Sequence, residues 1–421
     1  MRQTFWRHWV VLSSLCIVAC GDTETRGSVT MGFLFPYTNP IVGVAAPVME
    51  AGVRVAQDLI NKAGGVHGVP LAVKVYDGGA NPNTFFAQLD QAINVDHVAF
   101  VVGARWDAAD PAIAAQLATM THQARVVFCD LNAASPYTNT LPDRDFLFTA
   151  SSVNSLTSVF NAYGKDLVAK GVTKWVFAAQ EPFDASSDPL TPAWRQYDPN
   201  ATTVYVTYPA LSDYSTWDPT ATVQQIESSG ANGVLYFGGV TDTVAIASKL
   251  ASDGLVHPVS YLTGSSFAAV SSLPAGQREG FRMITALIPD PSGNLPAFVA
   301  ALEAWNNGTG ISDPSQQQLA AQAFDMAIWP SLALVKAGGQ SGVPHATAMP
   351  QIFDPNGTLI DTTAMPQAFT ALETGTISYR TALSGPGSLD SYHDRELRIA
   401  VFASDAAGQM SPTHIYPPGE P

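Results

Sequence analysis

Two aspartates in this chain of 421 residues have a type and spacing that could support acid–base chemistry. Asp107 and Asp130 each follow an apolar segment that predicts a strand, and in open α/β sheets the crevice at the carboxyl ends of the strands holds the ligand. Two carboxyl groups that face each other across roughly 5 to 10 Å could hydrolyse a glycosidic bond. Each aspartate also has a structural interpretation. Asp107, with Asp110, could cap the helix predicted to begin near Pro111, and Asp130 could be a turn residue.

The side chains beside Asp107 suit binding better than catalysis. Trp106 offers a ring for stacking, and Arg105 could either pair with Asp107 or bind a ligand carboxylate as a bidentate fork. The sequence contains no Gly-x-Ser-x-Gly elbow, His-Glu-x-x-His pair, P-loop or paired Cys-x-x-Cys motif. The segment 354–358 lacks the closing glutamate of a calcium loop and predicts a β-turn. We therefore expect non-covalent binding that needs no cofactor and no metal.

The N-terminus indicates export. Arg2 and Arg7 precede an apolar run over residues 9–19 that is too short to span a membrane comfortably. The end of this run, Cys16-Ile17-Val18-Ala19-Cys20-Gly21, resembles the lipobox of bacterial lipoproteins. The resemblance implies that residues 1–19 are a signal peptide, that Cys20 carries a lipid and that residues 20–27 are a tether. The alternative is an ordinary secretory signal with a chance cysteine.

Charge and composition limit the partners of the chain. The formal net charge is -15, and removal of residues 1–19 takes away two arginines and no acid, so it becomes about -17. Such an acidic protein is a poor partner for nucleic acid. With 13% charged and 46% hydrophobic residues the chain is globular, and its length predicts two domains. Cys129 would be the single thiol left beside the lipidated Cys20, so we expect it to be buried and free of any disulfide.

Predicted strands and helices alternate along most of the chain, which predicts two parallel, doubly wound sheets. The apolar run Phe281–Leu287 could return to the first lobe, residues 338–366 are expected to form a surface excursion, and Arg398–Ala403 is expected to make a third crossing between lobes. The predicted strands are Val29–Phe35, Leu71–Tyr76, Val98–Val102, Arg125–Cys129 and Leu147–Ala150, then Trp175–Ala178, Thr203–Thr207, Val234–Phe237 and Pro258–Leu262.

Several blocks of sequence, in their order and spacing, resemble the type I periplasmic binding proteins of branched-chain amino-acid ABC transporters. The most specific block runs from Asp58 to Gly79. The others are Met31–Pro36, Val101-Val102-Gly103, Ala133–Pro136 with Thr138, Gly238-Gly239 and Ala323-Phe324-Asp325. The resemblance implies an α/β fold of two Rossmann-like lobes joined by three crossovers, which close on a ligand. It also implies an ABC permease as partner, a monomer, and a place on the periplasmic face of the cell envelope. We predict lobe 1 as residues 28–149 plus 289–394, and lobe 2 as residues 150–288 plus 395–421.

The residues that hold an amino acid in this family are replaced here. The positions that bind the ligand carboxylate match Asp107 and Ala134, and a carboxylate at position 107 would repel that group by roughly 1 to 4 kcal/mol at 4 Å. The positions that bind the amine match Val240 and Ser266. A standard branched-chain amino acid is therefore not the expected ligand, and a neutral polyhydroxylated or a cationic ligand suits the aromatic, acidic and hydroxyl side chains better. The predicted ligand-binding residues are Tyr37, Arg105, Trp106, Asp107, Asn132, Ala133, Ala134, Phe183, Val240 and Ser266.

The sequence predicts a lipid-anchored solute-binding protein that delivers a small polar or amino-acid-like ligand to an ABC permease. A ligand-sensing module of the same fold would need the same hinge and cleft, so it stays open as an alternative. An enzyme that uses Asp107 and Asp130 is the third hypothesis. The choice between inner and outer membrane stays open as well.

Overall fold

A computed structural model of the chain shows an α/β architecture built on two large sheets. It describes residues 27–39, 42–104, 111–133, 138–151, 153–181, 183, 185, 188–211, 214–254, 259–262, 269–285, 293–305, 310–312, 314–383, 385, 387–391, 394–417 and 420. The predicted signal peptide, the lipidation site Cys20 and most of the predicted tether lie outside the described residues.

The first sheet consists of five parallel strands. They are β1 (Val29–Phe35), β2 (Leu71–Asp77), β3 (Phe100–Gly103), β4 (Val127–Ala133) and β5 (Leu147–Ser151), in the order β2-β1-β3-β4-β5. The connecting helices are α1 (Ala46–Lys62), α2 (Pro82–Asp90) and α3 (Pro111–Ala124). β1 is an almost continuous apolar run because helices cover both faces of the sheet.

The chain then enters a second sheet through a helix. The helices of this part are α4 (Val153–Ala169), α5 (Leu190–Arg195), α6 (Thr220–Ser228), α7 (Val240–Ser252) and α8 (Ala269–Ser272). The strands are β6 (Lys174–Gln180), β7 (Thr202–Tyr208), β8 (Gly233–Phe237), β9 (Val259–Leu262) and β10 (Phe281–Thr285), and neighbouring pairs among them are parallel.

After β10 the chain packs against the first sheet again. The helices α9 (Leu295–Trp305), α10 (Pro314–Lys336), α11 (Val343–Ala348) and α12 (Met365–Thr374) share one hydrophobic core with β1 and β4. Two small sheets accompany them, formed by β11 (Thr358–Ile360) with β12 (Ile377–Tyr379) and by β13 (Ser388–Leu389) with β14 (Arg395–Glu396).

The last two strands return to the second sheet. β15 (Ile399–Ser404) pairs antiparallel with β10, and β16 (Met410–Tyr416) pairs antiparallel with β15, so the order is β16-β15-β10-β9-β8-β6-β7. The chain therefore passes between the two sheets three times: after β5, after β10 and between β14 and β15. This arrangement confirms the predicted fold class.

Two expectations from the sequence are wrong. Residues 281–285 of the run Phe281–Leu287 do not return to the first lobe, because they form β10 between β9 and β15; residues 286 and 287 lie outside the described part. Residues 338–366 are not a surface excursion, because Met349, Ile352 and Met365 are fully buried in the core of the first sheet. An apolar run such as Phe281–Leu287 indicates that a segment is buried, but it does not indicate which sheet the segment joins. Within residues 338–366, the Gly and Pro residues mark the ends of short packed elements.

A glycine allows two helices of the first core to come close together. A Cβ built on Gly52 of α1 would lie 1.9 Å from the carbonyl oxygen of Ala320 in α10. The two helices can approach this closely only because residue 52 has no side chain.

Candidate functional site

The parallel strands of each sheet end at a common edge, and those predicted binding residues that the structure describes lie at or just beyond the strand ends. In the first sheet Phe35 lies opposite Asp77 in the register, and Gly103 lies opposite Asp130. In the second sheet the corresponding ends include Gln180. The predicted site residues Arg105, Trp106, Asp107, Ala134 and Ser266 lie outside the described residues, as does Asp110.

Tyr37 lies just beyond the end of β1, and its hydroxyl group is already engaged. The hydroxyl donates a hydrogen bond to Glu50 Oε2 at 2.6 Å, and Glu50 Oε1 in turn accepts from Arg54 Nη2 at 3.1 Å. Burial, followed by the bond to Glu50, raises the pKa of Tyr37, so the group stays a neutral donor. What Tyr37 can offer to a ligand is its ring, which meets Phe35 edge-on at 6.3 Å.

Asn132 and Ala133 occupy the last positions of β4. The sequence predicted that the strand ends at Cys129 and that these residues lie in a loop, which is wrong by four residues. Asp130 is fully buried in this strand, and its Oδ1 accepts a hydrogen bond from the backbone N–H of Asn132 at 3.0 Å. The register shifts between Asp130 and Ala133, so the strand is irregular where it reaches the edge. Cys129 is a free, buried thiol, and burial raises its pKa.

Phe183 belongs to a group of aromatic rings at the edge of the second sheet, which we call the aromatic wall. Its members are Phe177 of β6, Phe183 of the following loop, Tyr205 of β7 and Phe237, the last residue of β8. Phe183 stacks on Phe177 with ring centroids 4.8 Å apart and lies 5.9 Å from both Tyr205 and Phe237. Phe177 is buried, whereas Phe237 is 46% exposed. In the aromatic wall, Phe177 is therefore covered by the rest of the protein, whereas the ring of Phe237 at the strand ends is open to solvent.

Phe237 was not among the predicted site residues. The sequence placed it at the end of a strand, followed by Gly238-Gly239, and this position could have drawn attention to it. The side chain of Phe237 lies on the same face of the sheet as that of Leu235, and α4 and α5 cover this face. Phe237 is the last residue of β8, and the two helices do not extend over its ring.

Val240 is the first residue of α7, and a buried carboxylate fixes the turn that precedes it. Asp242 is fully buried, and its Oδ2 accepts hydrogen bonds from Gln180 Nε2 at 2.8 Å, from the Tyr208 hydroxyl at 2.8 Å and from the backbone N–H of Gly239 at 3.1 Å. Asp242 thereby ties the ends of β6, β7 and β8 together. The negative charge also suits the first turn of a helix.

The glycine before this turn is required by the same carboxylate. A Cβ built on Gly238 would lie 2.1 Å from Asp242 Oδ2 and 2.3 Å from the Tyr208 hydroxyl oxygen. The full burial of Asp242 makes it a positioning residue for Val240, since a ligand cannot touch it in this arrangement.

Two further findings concern other kinds of site. Over the residues that the structure describes, no three His, Cys, Asp or Glu side chains are grouped so that they could hold a metal ion. Within the same residues, no helix is both long enough and apolar enough to cross a membrane.

Comparison with known proteins identifies the class to which this arrangement belongs. The sequence pattern of the periplasmic binding protein family matches residues 28–372, so the chain belongs to that family. No curated protein matches the sequence.

Several solved structures share this fold. A leucine-binding protein, LivK, from Thermotoga maritima has a TM-score of 0.67 at 14% identity, over 93% of this chain and 99% of that one. LivJ from Streptococcus pneumoniae, in complex with isoleucine, has a TM-score of 0.66 at 15% identity over 92% and 99%. A solute-binding protein from R. palustris, in complex with benzoate, has a TM-score of 0.66 at 14% identity over 93% and 97%. At these identities the likeness shows the fold.

Proposed function

We propose that this protein binds a small ligand between its two lobes and delivers it to an ABC permease, without catalysis. The observation that carries the proposal is the aromatic wall, with a ring 46% exposed at the strand ends of a binding-protein fold. Open α/β sheets place their ligands at this edge, and exposed apolar surface there gains free energy when a ligand covers it.

The lobes of this proposal follow the hydrophobic cores. One core draws its buried residues from 31–150 and 298–383, and the two cores of the second sheet draw theirs from 159–284 and 399–401. This division supports lobe 1 as residues 28–149 plus 289–394 and lobe 2 as residues 150–288 plus 395–421. A hinge between them would let the wall close onto loops of the first sheet.

The ligand that suits the wall has a flat face as well as polar groups. Phe183 and Phe237 offer ring faces and edges, to which an aromatic ring or the apolar face of a sugar can pack. The benzoate of one structural relative is a ligand of this kind. The replacements Val240 and Ser266 leave no partner for an α-amino group and so favour such a ligand over a standard branched-chain amino acid, and among such ligands Asp107 and Ala134 favour those without a carboxylate.

The absence of catalysis is part of the proposal. Asp130, one of the two carboxyl groups that an enzyme would need, is fully buried and accepts a backbone hydrogen bond. A general acid or base must reach its substrate within hydrogen-bond distance or through one water. This favours a structural role for Asp130.

A ligand screen tests the proposal. The full chain is heated with each member of a panel that includes benzoate, 4-hydroxybenzoate, glucose, putrescine and leucine, and the unfolding temperature is followed. We expect stabilisation by a ring-containing or sugar ligand, together with a smaller radius of gyration in X-ray scattering as the lobes close. Strong stabilisation by leucine, isoleucine or valine would refute the argument that the amino-acid site has been rebuilt.

The proposed location is the periplasmic face of the bacterial envelope, where the lipid on Cys20 would hold a monomer beside its permease. The lipobox-like segment supports this location. Either membrane of the envelope is compatible with Gly21 after Cys20.

A further inference from the structure

The two large sheets have four edge strands, and three of these edges are blocked against pairing with another strand. Side chains of α1 cover the edge of β2, where Gln57 Nε2 donates to the carbonyl of Leu71 at 3.0 Å and Arg54 Nη1 donates to that of Val73 at 3.2 Å. All residues of β5 are buried. β16 contains Pro412, which has no N–H to donate, and its register with β15 is irregular. Coverage, proline and irregular register are the ways in which natural sheets prevent edge pairing.

The fourth edge strand is β7, and it has none of these protections. Its residues, Thr202–Tyr208, include no charged residue, no proline and no glycine. Its register with β6 continues from one end to the other without a shift. β7 is therefore a regular strand of threonine, valine and tyrosine, a composition that favours pairing with a further strand.

Every second residue of β7 points its backbone N–H and C=O groups away from β6. The N–H of Thr202 donates to the carbonyl of Thr173 at 3.1 Å, so Thr202 faces the sheet. In a parallel pair both backbone groups of a residue point to the same side, and the side alternates along the strand. Thr203, Tyr205 and Thr207 therefore face outward. None of their backbone groups forms a hydrogen bond with a residue that the structure describes.

Side-chain contacts within the second lobe hold β7 in place without using this edge. Trp175 Nε1 of β6 donates to Thr203 Oγ1 at 2.8 Å, and the Tyr205 hydroxyl donates to Asp188 Oδ2 at 2.8 Å. Because the strand is already ordered, it loses little conformational entropy when another strand pairs with it.

The sequence of the outward-facing segment is the same in both directions. Thr203-Val204-Tyr205-Val206-Thr207 is a palindrome centred on Tyr205. Two copies in antiparallel orientation, related by a twofold axis at Tyr205, would place tyrosine opposite tyrosine, valine opposite valine and threonine opposite threonine. Pairs of aromatic residues and pairs of threonines stabilise antiparallel strands. The segment therefore suits a second copy of itself.

The backbone groups match in the same register. The two copies of Tyr205 exchange two N–H···O=C bonds, and Thr203 of each copy exchanges two with Thr207 of the other, which makes about six bonds in total. Each bond joins groups that face outward in the single chain. β7 has no charged side chain, so contact between the strands adds no repulsion. Repulsion between two acidic chains is screened beyond about 8 Å at physiological salt.

We propose that the edge of β7 is a self-association surface, at which two copies of this chain pair antiparallel and join their second sheets into one continuous sheet. The contact closes on itself, because each copy contributes the same strand. The carboxyl ends of the two β7 strands point in opposite directions, so the pairing leaves the strand-end loops of each copy open to a ligand. The association is reversible, and the monomer of the proposed function is the species at low concentration.

Amide hydrogen exchange of the full chain at two concentrations tests the pairing. It needs no ligand, so its failure is distinguishable from a failure of the proposed function. The amides of Thr203, Tyr205 and Thr207 should exchange about fivefold more slowly at about 500 µM than at about 5 µM, as expected when four-fifths of the chains are paired. The amides of Val204 and Val206 face β6 and are the internal control, because they should be protected equally at both concentrations. Sedimentation velocity on the same samples should show a dimer at the higher concentration.

A variant at the edge tests the register. Thr207→Pro removes an outward N–H that the single chain does not use, and it should raise the concentration needed for dimerisation at least about tenfold. Thr207→Val is the matched control, because it loses the same hydroxyl, which donates to Glu181 Oε1 at 3.3 Å, but keeps the N–H. This control should dimerise like the wild-type protein.

Exchange at Thr203, Tyr205 and Thr207 that does not depend on concentration would overturn the proposal, and so would a dimer in which these three amides stay unprotected. Equal dimerisation of Thr207→Pro and Thr207→Val would refute the register. The wild-type comparison remains decisive if Thr207→Pro does not fold.

Discussion

Truncation of Phe237 in the aromatic wall should weaken ligand binding more than truncation of any other exposed aromatic residue that the structure describes. Phe237→Ala removes the open ring of the wall and leaves Phe177 and Phe183 in place. A phenylalanine side chain buries about 200 Å² when fully covered. Since Phe237 is 46% exposed, roughly 90 Å² remains for a ligand to cover.

The magnitude follows from this area. At ~25 cal/mol per Å² the covered ring contributes ~2 kcal/mol, which weakens binding about 30-fold when it is lost. A ligand that covers only half of the ring would lose about sixfold. At a ligand concentration 100 times the wild-type Kd, stabilisation of the folded protein would fall from ~2.7 to ~0.9 kcal/mol for the 30-fold case.

The assay is a titration of each hit from the ligand screen, by calorimetry and by the shift in unfolding temperature. Trp305→Ala is the matched control, because Trp305 is 36% exposed at the end of α9, a helix that packs in the core of the first sheet and not on the second sheet with the aromatic wall. If Phe237→Ala leaves the affinity of every ring-containing hit within about twofold of the wild-type value, the wall is not part of the ligand site.

Three further predictions concern the support of the site, the pH dependence of stability and the anchor. Asp242→Asn keeps an oxygen that can accept the three hydrogen bonds but removes the negative charge. The free energy of unfolding in urea should therefore fall by ~1 to 3 kcal/mol, and ligand binding should weaken. Unchanged stability would contradict the positioning role. Burial lowers the pKa of His345 to about 4, so its contribution to stability is complete above pH 6.5 and is lost as the pH falls through 4, with a slope of at most ~1.4 kcal/mol per pH unit. His345→Gln should remove this dependence of the free energy of unfolding on pH, measured in urea between pH 4 and 7. If the variant keeps the same slope, other titratable groups are its cause. Cys20→Ala should abolish incorporation of labelled fatty acid and release the protein from the membrane fraction, whereas retention on the membrane would argue against the anchor.

Local patterns in the sequence were sufficient for most of the elements. The strand predicted at Val29–Phe35 has the same bounds as β1. A run of β-branched and aromatic residues between turn residues strongly favours a strand. α1 ends at Lys62, just before Gly64 and Gly65, and both glycines have the positive φ that commonly follows a helix end. The turn predicted at Asp354 is present, with the N–H of Gly357 donating to the carbonyl of Asp354 at 2.9 Å. In each case neighbouring residues alone decide the conformation.

Local sequence patterns predicted less of the candidate site than of the secondary structure. Phe183 was predicted as a site residue, but Phe237 was missed because its exposure depends on where α4 and α5 stop covering the sheet. The positioning role of Asp242 has no signal in the sequence, since its burial depends on Tyr208 and Gln180 from two other strands. Residues far apart in the chain create these environments, and no local pattern reports them.

The sequence by itself determined the alternation of strands and helices and the two-lobe class of fold, because short-range sterics and hydrophobic periodicity encode such features. Tertiary structure alone decided to which sheet β10 belongs, which polar groups at the strand ends are already paired, and that Asp394 ties the segment before β14 to the first sheet. These features depend on contacts between residues up to about 250 positions apart, such as the pair of Arg144 with Asp394. The free energy of such contacts comes from burial and geometry that exist only once the chain has folded.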